Sequence, residues 1–239
     1  MNLQEISKLL LENRDDEDVS WVWIKSNQKP TKKEANKFML SSILDYQMNV
    51  DRVMENARRL SEDILGDPDS LWYEVTKVSL EEWEMKRNAY KLHRFPSGHK
   101  RVWTIGKQIV EKYEGDSRKI WNDNSPSDEI LHRVEKLGAG EQISRMIVGA
   151  LIDTKQIEGR GDVKVDIHVR RVLGRILQAE EFSLKQKDKV IEITREMNPE
   201  NPWLLDRPLY YLGKGLCTAT MAWCTNCFIH SKCKYFKTY

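Results

Sequence analysis

LGAGEQISRMIVGAL, residues 137–151, sets two glycines two residues apart just before Ile143, Ile147, Val148 and Leu151, which recur at helical spacing. Glycines at that point read as the turn of a hairpin joining two helices, since they reach positive φ at no steric cost and let a ligand approach the backbone. The first amides of the second helix have no acceptor within it, so such a turn is also an anion site suited to a phosphate. Gly138 and Gly140 are therefore candidate phosphate-binding positions. A plain connection between two helices has the same signature, and the flanking sequence must decide between the two.

Upstream, apolar residues repeat in steps of three and four at Phe38, Leu40, Ile43, Leu44, Met48, Val50, Val53, Met54, Ala57 and Leu60. This predicts two helices with a break near Asn49, whose side chain caps the second while Asp51 occupies the first turn, where the helix dipole favours an anion. Ser125-Pro126-Ser127-Asp128 predicts another start, with Ser125 as cap, Pro126 at the first helical position and a helix through Leu131 and Val134. Residues 19–25 (VSWVWIK) suit a strand as well as a helix and stay unassigned. The loops at 28–31, 95–98 and 156–161 are short. The fold class is all-α, in two tightly joined helical domains.

A chain of 239 residues has room for them. With 40% apolar and 32% charged residues the surface is well hydrated. No apolar run approaches the roughly 18 residues of a spanning helix, so no membrane partner is expected. The opening MNLQEISKLLLENRDDED is too acidic for a signal peptide, which implies a cytoplasmic protein. A formal charge of +2 does not by itself mark a nucleic-acid binder. Its distribution is uneven: residues 15–18 are all acidic, whereas 207–239 carry Arg207, Lys214, Lys232, Lys234 and Lys237 and no acid. That end is either a phosphate-facing surface or a solvated basic tail.

All four cysteines, Cys217, Cys224, Cys227 and Cys233, cluster near the C-terminal end in the spacing C-x6-C-x2-C-x5-C. With no export signal a metal centre is a better reading than disulfides, and thiolate softness selects zinc or an iron-sulfur cluster, between which spacing alone does not choose. Between the hairpin and the cysteines stands Asp166, in Val165-Asp166-Ile167-His168-Val169-Arg170-Arg171-Val172.

These three motifs, in this order, resemble the endonuclease III family of helix-hairpin-helix DNA glycosylases over roughly residues 36–239. The cysteine spacing is similar to that family's [4Fe-4S] loop, Gly213 sits where the family usually has a glycine, and VDIHVRRV resembles the segment carrying its catalytic aspartate. The resemblance implies a six-helix barrel domain with the helix-hairpin-helix over 36–150, and a helical iron-sulfur cluster domain over 1–35 and 151–239 carrying Asp166. DNA and the extruded base would lie in a cleft between them. Cys217, Cys224, Cys227 and Cys233 would hold the cluster and buttress a basic DNA-contacting loop including Lys214 and Lys232. Asp166 suits the role chemically. Breaking an N-glycosidic bond develops positive charge on the deoxyribose, which a carboxylate beneath the sugar stabilises. His168 reads as a structural hydrogen-bonder, and Arg170 and Arg171 as phosphate contacts or surface charges.

Leu44-Asp45-Tyr46-Gln47 aligns with the segment whose glutamine fills the gap left by a flipped base, making Gln47 the candidate plug. Phe95 or His93 falls near the family's second intercalating loop, and Tyr46 is a candidate stacking residue of the base pocket. Two departures bear on mechanism. Members that also cut the backbone carry a lysine two residues after the second hairpin glycine, where this chain has Gln142, and an amide is not a nucleophile. The hairpin also lacks the proline-lengthened L-P-G-x-G form. A monofunctional hydrolase is implied. Adenine-removing relatives carry a glutamate at Ser42, the other pocket position, and a domain after the cluster, whereas six residues follow Cys233. Uracil or thymine opposite guanine ranks first, with alkylated or oxidised bases next. The partner is double-stranded DNA with a damaged or mismatched base, bound by a monomer at the nucleoid of a prokaryotic cell. Rival readings are a lyase using Lys136 or Lys164, and a non-catalytic DNA-binding paralogue.

Overall fold

The computed structural model describes residues 2–14 and 23–238; the acidic run at 15–18 and residues 19–22 of the unassigned stretch lie outside the described residues. Every regular element among the described residues is helical. The α-helices are α1 (Leu3–Glu12), α2 (Lys32–Leu44), α3 (Val50–Arg58), α4 (Leu71–Thr76), α5 (Leu80–Met85), α6 (Arg87–Tyr90) and α7 (Pro96–Tyr113). They continue with α8 (Ser127–Lys136), α9 (Glu141–Asp153), α10 (Ile167–Gln178), α11 (Lys187–Met197), α12 (Asp206–Gly215) and α13 (Lys234–Thr238). No helix among the described residues is long and apolar enough to cross a membrane. The chain divides into a hairpin unit, 19–159, and a discontinuous cysteine unit, 1–18 with 160–239.

In the hairpin unit the predicted periodicity becomes the core: Phe38, Leu40, Ile43 and Leu44 of α2 pack with Val53 and Ala57 of α3, Trp72 of α4, Ile105 of α7 and Ile147 of α9. Asn49 caps α3 as the sequence predicts, its side-chain oxygen accepting from the Asp51 and Arg52 amides. Buried Asn36 on α2 is fully used. Its Oδ1 accepts from Trp72 Nε1 (3.0 Å) and Ser117 Oγ (2.8 Å), and its Nδ2 donates to the Pro68 and Gly115 carbonyls. Such a network ties three segments together only because every member is satisfied.

His99 on α7 is fully buried, its ring stacked 4.9 Å from Trp83. Its Nε2 bonds the Trp83 carbonyl at 2.7 Å, and a carbonyl only accepts, so the ring proton is on Nε2. Nδ1 is buried with no partner. Burial holds the imidazolium form well below its ordinary range near 6.5. The unfolded chain therefore takes up a proton that the folded chain refuses, so stability is present above about pH 6.5 and falls as the pH drops below it. We expect urea midpoints of the wild type to decline between pH 6.5 and 5, with a slope of at most about 1.4 kcal/mol per pH unit from this group. His99→Phe should flatten that slope whatever its baseline, and an unchanged slope would remove His99 as its source.

In the cysteine unit, α1 returns to the C-terminal part of the chain, burying Ile6 and Leu10 with Val169, Val172 and Leu173 of α10 and Leu209 and Leu212 of α12. Helices α10 and α12 approach closely at Gly213, where a Cβ would sit 2.8 Å from the Cβ of His168.

Three local features differ from the expectations or add to them. First, a capping box, Glu34 Oε2 accepting from the Thr31 amide (2.8 Å) and Thr31 Oγ from the Glu34 amide (3.3 Å), starts α2 at Lys32, ahead of the apolar repeat. Ile24 and Ile157 belong to the same core, and Gln156 Nε2 stitches the segments by donating to the Gln28 carbonyl (2.8 Å). Second, Pro126, not Ser125, is the N-cap of α8, because Ser125 Oγ is taken by Arg133 Nη2 at 2.6 Å. Third, residues 95–98 are not a loop: Phe95 is the N-cap of α7 and Pro96 its first residue.

Candidate functional site

The hairpin joins α8 to α9 with its residues alternating between core and surface. Leu137 and Ala139 are buried, while Gly138 and Gly140 face outward with φ of +92° and +82°. A Cβ at either would meet nothing within 4 Å, so it is backbone conformation and not crowding that calls for glycine here. The Gly138 amide is used by the Glu135 carbonyl (2.9 Å), and the α9 ladder opens with Ser144 N–H donating to the Gly140 carbonyl (2.9 Å). The amides before Ser144 therefore precede the ladder, as an anion site requires. Gln142 lies in this first turn with its Oε1 buried and unpartnered, and Arg145 one turn on pairs with Glu141 (2.8 Å).

Elsewhere in the hairpin unit, two segments far apart in sequence come together. Gln47 sits between α2 and α3 in the left-handed region (φ 50°), exposed, and Tyr46 beside it is half-exposed. The Tyr46 ring stacks on His93 (6.0 Å) and lies 6.1 Å from Phe95. His93 locks the pairing. Its Nδ1 accepts from the Phe95 amide (3.0 Å), which leaves Nε2 to donate to the Tyr46 carbonyl (2.8 Å). Arg101 lies 5.5 Å from the Tyr46 ring centre and Arg94 4.6 Å from that of Phe95. Ser42 is buried within α2.

In the cysteine unit, Asp166 is the N-cap of α10. Its Oδ1 accepts from the His168 (2.7 Å) and Val169 (2.9 Å) amides, and Oδ2 has no partner among the described residues. One oxygen fixes the carboxylate and the other is spare. Behind it, Arg171 donates from Nε to the Cys217 carbonyl (2.8 Å) and from Nη2 to the Gly213 carbonyl (2.8 Å) and His168 Nδ1 (3.0 Å). A guanidinium only donates, so His168 carries its proton on Nε2. Arg175 donates to the Thr218 carbonyl (2.7 Å) and lies 3.5 Å from Cys217 Sγ.

All four cysteines are free and line one small cavity, walled by apolar side chains including Val172, Leu212, Ile229 and Phe236. Burial pushes the Cys224, Cys227 and Cys233 thiols up, Cys227 to about 11, and the neighbouring cysteines push each further. Only a bound cation makes thiolates favourable there. Four sulfurs lining one cavity are a donor set that suits a soft metal centre.

No protein-family model matches this sequence and no curated protein matches it. Solved structures do. A trapped covalent endonuclease III–DNA intermediate with an estranged adenine aligns over 100% of this chain and 98% of its own, with TM-score 0.66 and 17% identity. A non-covalent endonuclease III–DNA complex aligns over the same shares, with TM-score 0.67 and 18% identity. The chain has the endonuclease III fold.

On that fold some residues singled out from sequence are committed elsewhere. Arg171 is buried and donates to two backbone carbonyls and His168, and half-buried Arg170 donates to the Phe182 carbonyl (2.7 Å), so Arg171 is an internal strut and Arg170 is tied in part to its own unit. Lys232 pairs with Glu5 of α1 at 2.5 Å, while Lys214 is exposed in the last turn of α12, 5.7 Å from the Tyr210 ring centre. Sequence reading missed Arg94, Arg101 and Arg175. No periodicity or spacing marks them, because their partners stand on remote segments of the chain.

Proposed function

We propose that the protein is a monofunctional DNA glycosylase of base-excision repair that flips a damaged or mismatched base from double-stranded DNA and hydrolyses its N-glycosidic bond. The observation that carries this is the Asp166 carboxylate, held at the start of α10 by two amides through one oxygen, with the other unbonded among the described residues. A fixed negative charge of that kind stabilises the oxocarbenium-like sugar as the C1′–N bond breaks and its electron pair leaves with the base. Water then adds at C1′, losing a proton to leave an abasic site. The amides at the start of α9, ahead of the first ladder bond from Ser144 to Gly140, are suited to a backbone phosphate, which positions the duplex without reading sequence. Tyr46, Gln47 and Phe95 form a surface suited to stacking and gap filling.

Cys217, Cys224, Cys227 and Cys233 would hold a [4Fe-4S] cluster, which when bound supplies a rigid centre for the loop. Arg171 and Arg175 join that loop to α10 and hence to Asp166.

Gln142 supports the hydrolytic assignment, since its amide cannot form an imine with the sugar. Excision should be screened on duplexes with uracil or thymine opposite guanine first, then alkylated and oxidised bases, each with and without alkali. We expect base release with strand breaks only after alkali, and no covalent adduct with abasic DNA on borohydride treatment. A trapped adduct would assign the reaction to another amine, with Lys136 and Lys164 the first to replace. Binding without release of any base would leave a non-catalytic DNA-binding protein.

A further inference from the structure

Two loop tips of the hairpin unit, remote from each other in sequence and joined by the His93–Tyr46 bond, share a second and exposed one: Arg94 Nη2 donates to Gln47 Oε1 at 2.9 Å. Gln47 Nε2 in turn reaches Tyr46 Oη at 3.4 Å, and the Arg94 guanidinium lies over the Phe95 ring, so both polar groups have a set orientation. A free glutamine amide offers one acceptor and two donor hydrogens, and by turning over it can complement almost any base edge. Here it cannot turn freely. The guanidinium holds the carbonyl oxygen, a second donor approaching that oxygen meets a positive charge, and arginine has no acceptor of its own. The pair therefore presents N–H groups only.

Resting on the reading of Gln47 as the residue that fills the gap left by a flipped base, we propose that Arg94 makes this plug a donor-only group and so selects a cytosine as the estranged base. The Watson–Crick edge of cytosine carries two adjacent acceptors, N3 and O2. Guanine sets one acceptor, O6, beside two donors; adenine sets N1 beside its amine; thymine separates its two carbonyls with N3–H. A donor-only plug gains two bonds with cytosine and faces like groups on guanine. Arg94 is thus a specificity-determining positioning residue, and the favoured substrate becomes a modified guanine paired with cytosine, ahead of uracil or thymine opposite guanine.

The test is binding to four duplexes carrying a tetrahydrofuran abasic analogue opposite each of the four bases, with an undamaged duplex as reference. Wild type should bind the analogue opposite cytosine about tenfold more tightly than opposite guanine, the scale of a bidentate base contact. Arg94→Ala should bring that ratio near one, while Arg94→Lys, which restores a donor to Gln47 Oε1, should recover part of it. Equal wild-type affinity for the four analogues, or an Arg94→Ala loss that is the same for all four as for a phosphate contact, would overturn the proposal and leave the glycosylase reading standing. Failure to prefer any analogue over the undamaged duplex would instead remove the glycosylase reading, and the proposal with it.

Discussion

Asp166→Asn is expected to lower base excision on the order of 10²-fold or more while leaving folding and DNA binding intact. The two functions of this side chain are separable because they use different properties of the same group. As N-cap it needs only an oxygen acceptor for the His168 and Val169 amides, and asparagine keeps that acceptor and caps as well. As a catalytic group it needs the negative charge, which asparagine lacks. Asp166→Ala removes both, so it should lose activity and also about 1 kcal/mol of stability. Single-turnover excision, thermal unfolding and affinity for an abasic-analogue duplex would be measured on both variants. If Asp166→Asn kept wild-type excision, the carboxylate would be a cap and nothing more. If it lost activity and stability together, the electrostatic role would be unproven and a structural one preferred.

The sequence made some of this legible and not the rest, and the division is physical. Signals carried by neighbours in the chain were readable: Asn49 ahead of α3, the two outward glycines ahead of α9, and the apolar repeats of α2 and α3. Each depends on backbone geometry within one turn. What was unreadable depends on which distant segment a side chain meets. Ser125 has every local mark of a cap, yet Arg133 claims its hydroxyl. Arg171 looks like a surface charge beside Arg170 until Gly213 and Cys217 are brought against it by the close crossing of α10 and α12. Lys232 counts as a free positive charge in the sequence but has Glu5, near the opposite end of the chain, as its partner, because α1 returns to the cysteine unit. The same limit hid Arg94, whose effect on Gln47 exists only once α7 begins beside the α2–α3 connection.

Replacing Cys227 with serine is expected to abolish excision entirely, although no cysteine need touch the substrate. Fresh wild-type protein should be brown and hold about four irons per chain, and the variant should lose both. Without the cluster, four thiols, that of Cys233 buried and the other three half-buried, line one cavity with no ion to bind them, and the binding free energy of the centre is lost from the folded state. The consequence reaches Asp166 by a route that can be followed bond by bond. Cys217 and Thr218 supply the carbonyl acceptors for Arg171 and Arg175, and both arginines stand on α10, the helix that Asp166 caps. When the loop loosens, two buried guanidiniums lose partners, a cost of several kcal/mol apiece if they stay buried, so α10 must shift or expose them. Limited proteolysis should then cut between residues 217 and 233, and the apparent Tm should fall. The hairpin unit has its own core and should retain its helical signal. Stoichiometric zinc without iron in active wild type would refute the cluster assignment. Full iron content and normal excision in Cys227→Ser would show that this cysteine is not a ligand and that the coupling through Arg171 and Arg175 does not depend on it.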